Sequence, residues 1–225
     1  MQRWLAGRTP HPRHRWAIAA ALDEDEHYLW PPEESRGTAA RPDVELVAAH
    51  AHRADMPPGQ WWQLFTGARR QIDLLGYAML FLTEQHPQLP ALLQRKTSED
   101  CQVRISLADP ESPEAAERDA EERLAGGLQA RIRTSRLYLA ALDECPGVAI
   151  HFHRTPMYNS IFRFDDDMLV TPHLYGVPGY AAPMLHLRRK GGQGMFDGFA
   201  SHFEAIWSTS QPAPALRAMT GEPVT

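Results

Sequence analysis

The chain has 225 residues, with 23 basic and 28 acidic side chains and a formal net charge of −5. Its hydrophobic fraction of 43% and mean hydropathy of −0.43 are typical of a soluble globular protein. The longest run without a strongly polar side chain extends only from Leu74 to Leu82, far short of the ~20 residues that a transmembrane helix needs.

The N-terminus and the cysteines indicate the expected compartment. Residues 1–7 contain no apolar core followed by a small-residue cleavage site, so no secretory signal is expected. Cys101 and Cys145 are neither spaced as a metal site nor numerous enough for a disulfide framework. We therefore expect a protein of the reducing cytoplasm. No P-loop, dinucleotide fingerprint or nucleophilic-serine elbow is present, and no cofactor is expected.

Charge is distributed unevenly at the start of the chain. Residues 1–22 contain no acid and four arginines, Arg3, Arg8, Arg13 and Arg15. A basic opening on an acidic protein indicates contact with an anion, and the nucleic-acid backbone is the commonest such partner. A solvated N-terminus explains the same charges, and charge alone favours that simpler interpretation.

The first 43 residues are predicted to form a short helical head and a linker. Trp16, Ala17 and Ala20 lie at helical spacing after Pro12, which suits a first helical turn. A second short helix is expected from Asp23 to the Pro31-Pro32 pair. The head is thus assigned to residues 1–32. Turn formers and charges without periodicity assign residues 33–43 to a linker.

Residues 44–210 are predicted to be one α/β domain, followed by a loose tail over residues 211–225. Strand patterns occur at Ile72–Leu82, Val103–Leu107, Val148–Phe152, Ile161–Phe164, Met168–Thr171 and Met184–Leu187, with a tight turn at Asp165-Asp166. Helical patterns surround Trp61–Ala68, Leu92-Leu93, a long stretch from Pro113 to Ile132 weakened at Gly126-Gly127, and Phe196–Trp207. This order predicts a mixed sheet with helices on both faces.

Residues 148–176, together with residues 74–77 and 103–110, resemble one repeat of the phospholipase D-like superfamily. In that family a strand carries His-x-Lys, and an Asp follows after four intervening residues. The three positions fall here on Asn159, Ile161 and Asp166. An amide cannot be the nucleophile and isoleucine cannot neutralise phosphoryl charge, so the resemblance implies the family's fold without its catalysis.

The same strand suggests a binding site. Period two places Asn159, Ile161 and Arg163 on one strand face, and an amide with a guanidinium suits an anion or a nucleotide-like ligand. Alternatively, Arg163 pairs with an aspartate of the hairpin turn, Asp165, Asp166 or Asp167, and has a purely structural role. The sequence favours neither alternative. The predicted ligand-binding residues are Asn159, Arg163, Asp166, His173, Tyr77 and Asp109.

Two other functions remain open for the domain. His151 and His153 share a strand face and His173 follows the hairpin, so one of them would be the displaced nucleophile of a phosphodiesterase or nuclease. The three would also suit Zn²⁺, although histidines without a metal are the default interpretation. The remaining alternative is a pure interaction or scaffold domain.

The head supplies a second resemblance. Residues 3–12, 15–22 and 28–31 look like the C-terminal half of an XRE-type helix-turn-helix domain. Head and body together resemble XRE-type transcriptional regulators, in which DNA would be the partner if the full helix-turn-helix is present. The recognition helix would largely precede Met1, and the four arginines would then contact phosphates without specifying sequence. The resemblance implies a regulator whose catalytically inactive domain senses a phosphate-containing or nucleotide-like ligand or forms a homodimer.

Overall fold

The structure, a computed structural model, describes residues 10–22, 24 and 44–216. The chain divides into two compact units, residues 1–44 and residues 45–225. In the first unit, helix α1 spans Pro12–Leu22, and Arg15 Nε donates to the Pro10 carbonyl at 3.1 Å. Arg3, Arg8, the Arg13 side chain and the predicted second head helix lie outside the described residues, as does the predicted linker.

In the second unit, strands and helices follow one another along the chain. The strands are β1 (Leu46–His50), β2 (Gln71–Gly76), β3 (Gln102–Ala108), β4 (Val148–His153), β5 (Asn159–Phe164), β6 (Asp167–Pro172), β7 (Met184–Arg188) and β8 (Gln211–Pro212). The helices are α2 (Pro58–Gly67), α3 (Leu80–Gln85), α4 (Leu89–Ser98), α5 (Pro113–Glu121), α6 (Gly127–Tyr138) and α7 (Met195–Thr209). Within the described ranges, no helix is long and apolar enough to cross a membrane.

The strands described here form one sheet in the order β1-β7-β6-β5-β2-β3-β4-β8. β2, β3 and β4 are parallel, and the other neighbouring pairs are antiparallel. Alternate residues of β5 enter two hydrophobic clusters: Phe162 packs with Trp61 of α2, whereas Ile161 packs with Phe203 of α7. Helices therefore cover both faces, which confirms the predicted fold class.

Two predicted elements are each divided in the structure. The apolar run from Ile72 to Leu82 leaves the sheet at Gly76, where a Cβ would lie 2.6 Å from Cγ of Met79. Met79 adopts a left-handed conformation with φ of 56°, and α3 begins at the next residue. Continuous hydrophobicity did not distinguish a buried strand from a strand followed by a helix.

The predicted long helix is likewise two helices: α5 ends at Glu121, and Arg123, Ala125 and Gly126 have φ values of 57°, 52° and 88° before α6 begins at Gly127. The buried carboxylate of Asp119 accepts hydrogen bonds from the N–H groups of Gly126 and Leu128, both at 2.7 Å, and so caps the start of α6.

The edge strands β1 and β8 were not predicted. Gln211 pairs with Phe152 of β4, so the segment expected to begin a loose tail instead forms an edge of the sheet. Residues 217–225 of that predicted tail lie outside the described residues.

The turn between β5 and β6 is tied to the start of β2. Asp165 has a φ of 54°, and its carboxylate accepts hydrogen bonds from the backbone N–H groups of Arg69, Arg70 and Gln71 at 2.8, 2.8 and 2.9 Å. Burial raises the pKa of Asp165, but the three hydrogen bonds outweigh burial and leave the pKa below its ordinary value. The charged carboxylate thus stabilises the junction of β2 and β5.

We expect Asp165→Asn to lower the free energy of unfolding by roughly 1–3 kcal/mol. The amide is uncharged, and its NH2 group would face a backbone N–H group that it cannot accept from. Asn tolerates the left-handed conformation, so the loss would report on the hydrogen bonds. The matched control is Asp166→Asn, which removes an exposed, solvent-screened ion pair with Arg70 and should cost clearly less than Asp165→Asn. Urea denaturation measures both variants, and equal losses would contradict the assignment.

Candidate functional site

In the structure, α7 covers the strand face that was predicted to bind the ligand. Ile161 is fully buried against Phe203 and Ile206. Arg163 donates through Nε to the Asp165 carbonyl at 3.0 Å, and its Nη1 lies 3.8 Å from Oδ2 of the buried Asp73. Arg163 therefore has the structural role that the alternative interpretation gave it, although through a different set of partners.

A charged chain fixes α7 over this face. Arg104 donates to Asp73 through Nε at 2.7 Å and reaches the two carboxylate oxygens of Glu204 on α7 at 2.9 and 2.7 Å. The Arg104 guanidinium also lies over the ring of Phe203, 4.7 Å from its centroid. Because bidentate arginine–carboxylate pairs are directional, this network positions α7 against β2 and β3.

The structure does not bring the six predicted ligand residues together. Asp166 lies in the hairpin turn, bonded to Arg70 at 2.5 Å, whereas Asn159 begins β5 at the opposite end of that strand. Asp109 follows β3, accepts a hydrogen bond from Arg154 at 2.8 Å and lines a separate cavity. Only Tyr77 and His173 of the set line the cavity described next.

A cavity of about 340 Å³ opens where β2 and β6 end and β5 begins. It lies on the sheet face of Ser160 and Phe162, opposite the predicted face. Its polar lining combines hydroxyl, imidazole, guanidinium and carboxylate groups from distant parts of the chain. These residues are Arg53, Tyr77, Glu84, Glu122, Arg131, Ser160, Thr171 and His173.

His173 is held in one tautomer in this cavity. Its Nδ1 lies 3.1 Å from the Met157 carbonyl, which can only accept, so Nδ1 carries the proton. Nε2 then accepts a hydrogen bond from Ser160 Oγ at 3.0 Å. Burial, with the nearby charge of Arg118, lowers the pKa of His173 to about 4. The imidazole is therefore neutral near pH 7.

Arg53 supplies a partly buried cation. Its Nε donates to the Gly179 carbonyl at 3.1 Å, and the guanidinium carbon lies 3.6 Å from the ring centroid of Phe81. Burial lowers the pKa of Arg53 to about 10 against the opposing effect of Glu122, so the group stays charged at neutral pH. Among the described residues, neither Nη1 nor Nη2 has a hydrogen-bond partner. Two donor groups of a fixed cation thus remain available.

Buried polar atoms without partners surround the same end of the sheet. Thr171 is 1% exposed and lines the cavity, yet its hydroxyl makes no hydrogen bond within the described chain. Oδ1 of Asn159, which lies near the cavity end of β5 but does not line the cavity, is also buried without a partner among the described residues. A buried polar group without a partner costs free energy, and at Thr171 a ligand or a water molecule in the cavity would supply the missing partner.

The histidines of this region differ in their surroundings. Ser160 and His173 are spaced like a nucleophile and its base, but an imidazole with a pKa of about 4 is a weak base at neutral pH. His151 stacks on Trp207 at 4.0 Å and bonds to Ser210, away from the lining. Within the described residues, no group of three His, Cys, Asp or Glu side chains could hold a metal ion.

Three functional candidates were missed from the sequence. Arg53 comes from the loop after the unpredicted β1 and reaches the cavity through contacts with residues 179–182. Ser160 and Thr171 are opposite each other in the β5–β6 register, so their shared face could have been found from the hairpin once the turn was assigned.

Comparisons with known proteins show a shared fold at low sequence identity. TrmBL2, described as an archaeal chromatin protein with a novel mode of DNA binding, matches with a TM-score of 0.50 and 11% identity, covering 94% of this chain and 67% of TrmBL2. No protein-family model and no curated protein matches the chain. The XRE assignment therefore stays a prediction.

Two further solved structures are similar at lower TM-scores. Nuc from Salmonella typhimurium, a phospholipase D family member, gives a TM-score of 0.43 at 10% identity and covers 68% of this chain and 90% of its own. NucT from Helicobacter pylori gives a TM-score of 0.40 at 10% identity, covering 69% and 89%.

We expect the protein to lose stability as the pH falls from about 6.5 toward 4. Burial lowers the pKa values of His153 and His173 to about 4, so between these limits the unfolded chain binds more protons than the folded chain. The loss near pH 5 is roughly 2 kcal/mol for each histidine. Urea unfolding near pH 7.5 and near pH 5 measures it. His173→Gln should reduce the difference between the two values, and an unchanged difference would contradict the expectation.

Proposed function

We propose that the chain is a DNA-associated regulatory protein whose residues 45–216 form a non-catalytic module that binds a small phosphate-containing molecule. The cavity at the end of β2 and β6 carries this proposal. There, Arg53, whose Nη groups have no hydrogen-bond partner among the described residues, lines the same cavity as the hydroxyl-bearing Ser160 and Thr171. A ligand that carries both a negative charge and hydrogen-bonding groups would suit this lining.

The electrostatics favour an anion with additional hydrogen-bonding groups. Arg53 stays charged, while His173 is neutral and already bonded to Ser160, so it contributes shape and an aromatic face rather than charge. Tyr77 stacks on His173 at 5.6 Å and offers a further ring at the edge of the cavity. Glu84 and Glu122 would repel a highly charged ligand. A phosphate monoester with a hydroxylated body fits this combination.

We propose that the module has no catalytic activity for two reasons, the residues at the family's motif positions and the weak basicity of the cavity histidine. Asn159 and Ile161 stand where the phospholipase D-like family has its histidine and lysine, and the remaining histidine of the cavity is a weak base. We include a homodimer in the same proposal. In the dimer, ligand binding to one chain would affect the second chain.

We expect calorimetry to detect binding of ribose 5-phosphate or AMP, and much weaker binding of ribose or adenosine, because the phosphate supplies the charge-assisted contact with Arg53. Arg53→Met should weaken binding by about tenfold or more. Thr171→Val keeps the side-chain volume and should weaken binding without lowering the free energy of unfolding, since the hydroxyl has no partner in the protein.

The matched control is Arg95→Met, which removes an exposed arginine on α4 outside the cavity lining. It should leave the affinity unchanged. Equal binding of the phosphorylated and unphosphorylated compounds, or wild-type affinity in Arg53→Met, would contradict the proposal. Steady conversion of the phosphate ester would instead support the enzyme alternative.

DNA contact by residues 1–44 is the second part of the proposal. It is supported by the basic composition of residues 1–22, by the resemblance to a helix-turn-helix domain, and by the fold shared with a chromatin protein described as binding DNA. Arg3, Arg8, Arg13 and Arg15 would contact phosphates, a contribution that is independent of sequence and dependent on salt.

We expect a double variant, Arg8→Ala with Arg13→Ala, to reduce the slope of log affinity against log salt by about two for duplex DNA, because each phosphate contact contributes about 0.9. Fluorescence anisotropy over a salt series measures the slope. The control pairs Arg69→Ala with Arg95→Ala in the body and should retain the wild-type slope. Identical slopes for all three proteins would exclude the head as the DNA contact.

A further inference from the structure

A second cavity, of about 500 Å³, lies between α6, β4 and residues 211–216. It shares no lining residue with the cavity beside Arg53. Its volume is within the range of roughly 300–1,000 Å³ that holds drug-sized ligands. Most of its wall is hydrophobic, formed by Pro110, Leu137, Phe152, Pro212, Pro214 and Leu216.

Three arginines stand at this hydrophobic wall. Arg154 and Arg133 are more than half exposed and bond to the lining acids Asp109 and Glu111 at 2.8 and 2.6 Å. Arg136 is 4% exposed, and its partner carboxylate, Asp143, lies outside the lining. The cavity lining therefore contains one more cation than anions.

Arg136 is incompletely bonded. Its Nη2 donates to Asp143 at 2.5 Å and to the Pro214 carbonyl at 2.8 Å. Its Nε and Nη1 are buried without a partner among the described residues. A guanidinium has five N–H donors, so leaving two of its nitrogens unbonded in the interior is costly. These two nitrogens are not exposed at the cavity surface, so Arg136 contributes positive charge behind the wall, while the exposed Arg133 and Arg154 stand at the surface that a ligand can reach.

The C-terminal segment forms one wall through a few contacts. Ala213 donates to the Ile150 carbonyl at 2.9 Å, and Leu216 donates to the Asp143 carboxylate at 3.1 Å. Arg136 also donates to the Pro214 carbonyl. The ion pair of Arg136 and Asp143 therefore holds the segment at two points, Pro214 and Leu216. A ligand lying between Phe152 and the prolines would hold the segment more firmly, because it would bury the segment's apolar surface.

We propose that this cavity binds an amphipathic organic acid, with its carboxylate toward Arg133, Arg136 and Arg154 and its apolar chain against Leu137, Phe152 and the prolines. The site is independent of the phosphate-binding cavity and takes a different class of ligand. Charge at one end and a hydrophobic body of medium length distinguish this ligand from a phosphorylated, hydroxylated one.

The test compares octanoate with its neutral counterpart 1-octanol by calorimetry on the full chain. Octanoate should bind at least about fivefold more tightly than octanol, because only the acid supplies an acceptor for the arginines. Leu137→Glu places a like charge at the cavity wall and should weaken octanoate binding by about tenfold or more. Leu137 is 62% exposed, so the variant should fold.

The matched control is Tyr138→Glu, which adds the same charge at the next residue, 52% exposed and outside the lining. It should bind octanoate like the wild type, as should Arg53→Met, which alters only the other cavity. Absence of octanoate binding at about 2 mM, equal affinity for octanol, or full affinity in Leu137→Glu would each overturn the proposal.

Discussion

The pairing of β2 with β5 is the constraint on which the sheet and its cavity depend, because it joins the parallel half of the sheet to the antiparallel half. The carboxylate of Asp165 accepts hydrogen bonds from three backbone N–H groups at the start of β2, next to the pair formed by Ile72 and Phe164. A slip of one residue would exchange the two faces of β5. The same register carries Tyr77, at the far end of β2, to the place where β5 begins and β6 ends.

The sequence predicts features that depend on neighbouring residues. It does not predict features that depend on contacts between residues far apart in the chain. Alternation on β5 is local, and it assigned Ile161 and Phe162 to opposite faces correctly. The face that α7 covers depends on contacts such as that of Arg104 with Glu204, which lie a hundred residues apart in the chain. No local sequence pattern predicts such a contact. Arg53 was missed for the same reason, since it reaches its cavity through a nonlocal loop contact with Gly179.

The two cavities use buried arginine in different ways. Arg53 keeps unbonded Nη groups beside hydroxyls, whereas Arg136 is anchored to Asp143 and stands among prolines and other apolar side chains. The unbonded nitrogens of Arg136 are buried, so leaving them without an acceptor costs free energy, whereas Arg53 is only partly buried and keeps its Nη groups open to a ligand. The surrounding surface then selects the ligand: hydroxyls favour a polar phosphate ester, and prolines with Phe152 favour a hydrocarbon chain.

The central claim is that the cavity beside Arg53 binds a phosphate ester and does not cleave it. Phosphorus-31 NMR of ribose 5-phosphate mixed with the protein tests binding and turnover in one sample. We expect the phosphate resonance to shift and broaden with wild-type protein, to stay sharp with Arg53→Met, and to show no inorganic phosphate after prolonged incubation. A growing inorganic phosphate signal, or identical broadening with Arg53→Met, would contradict the account.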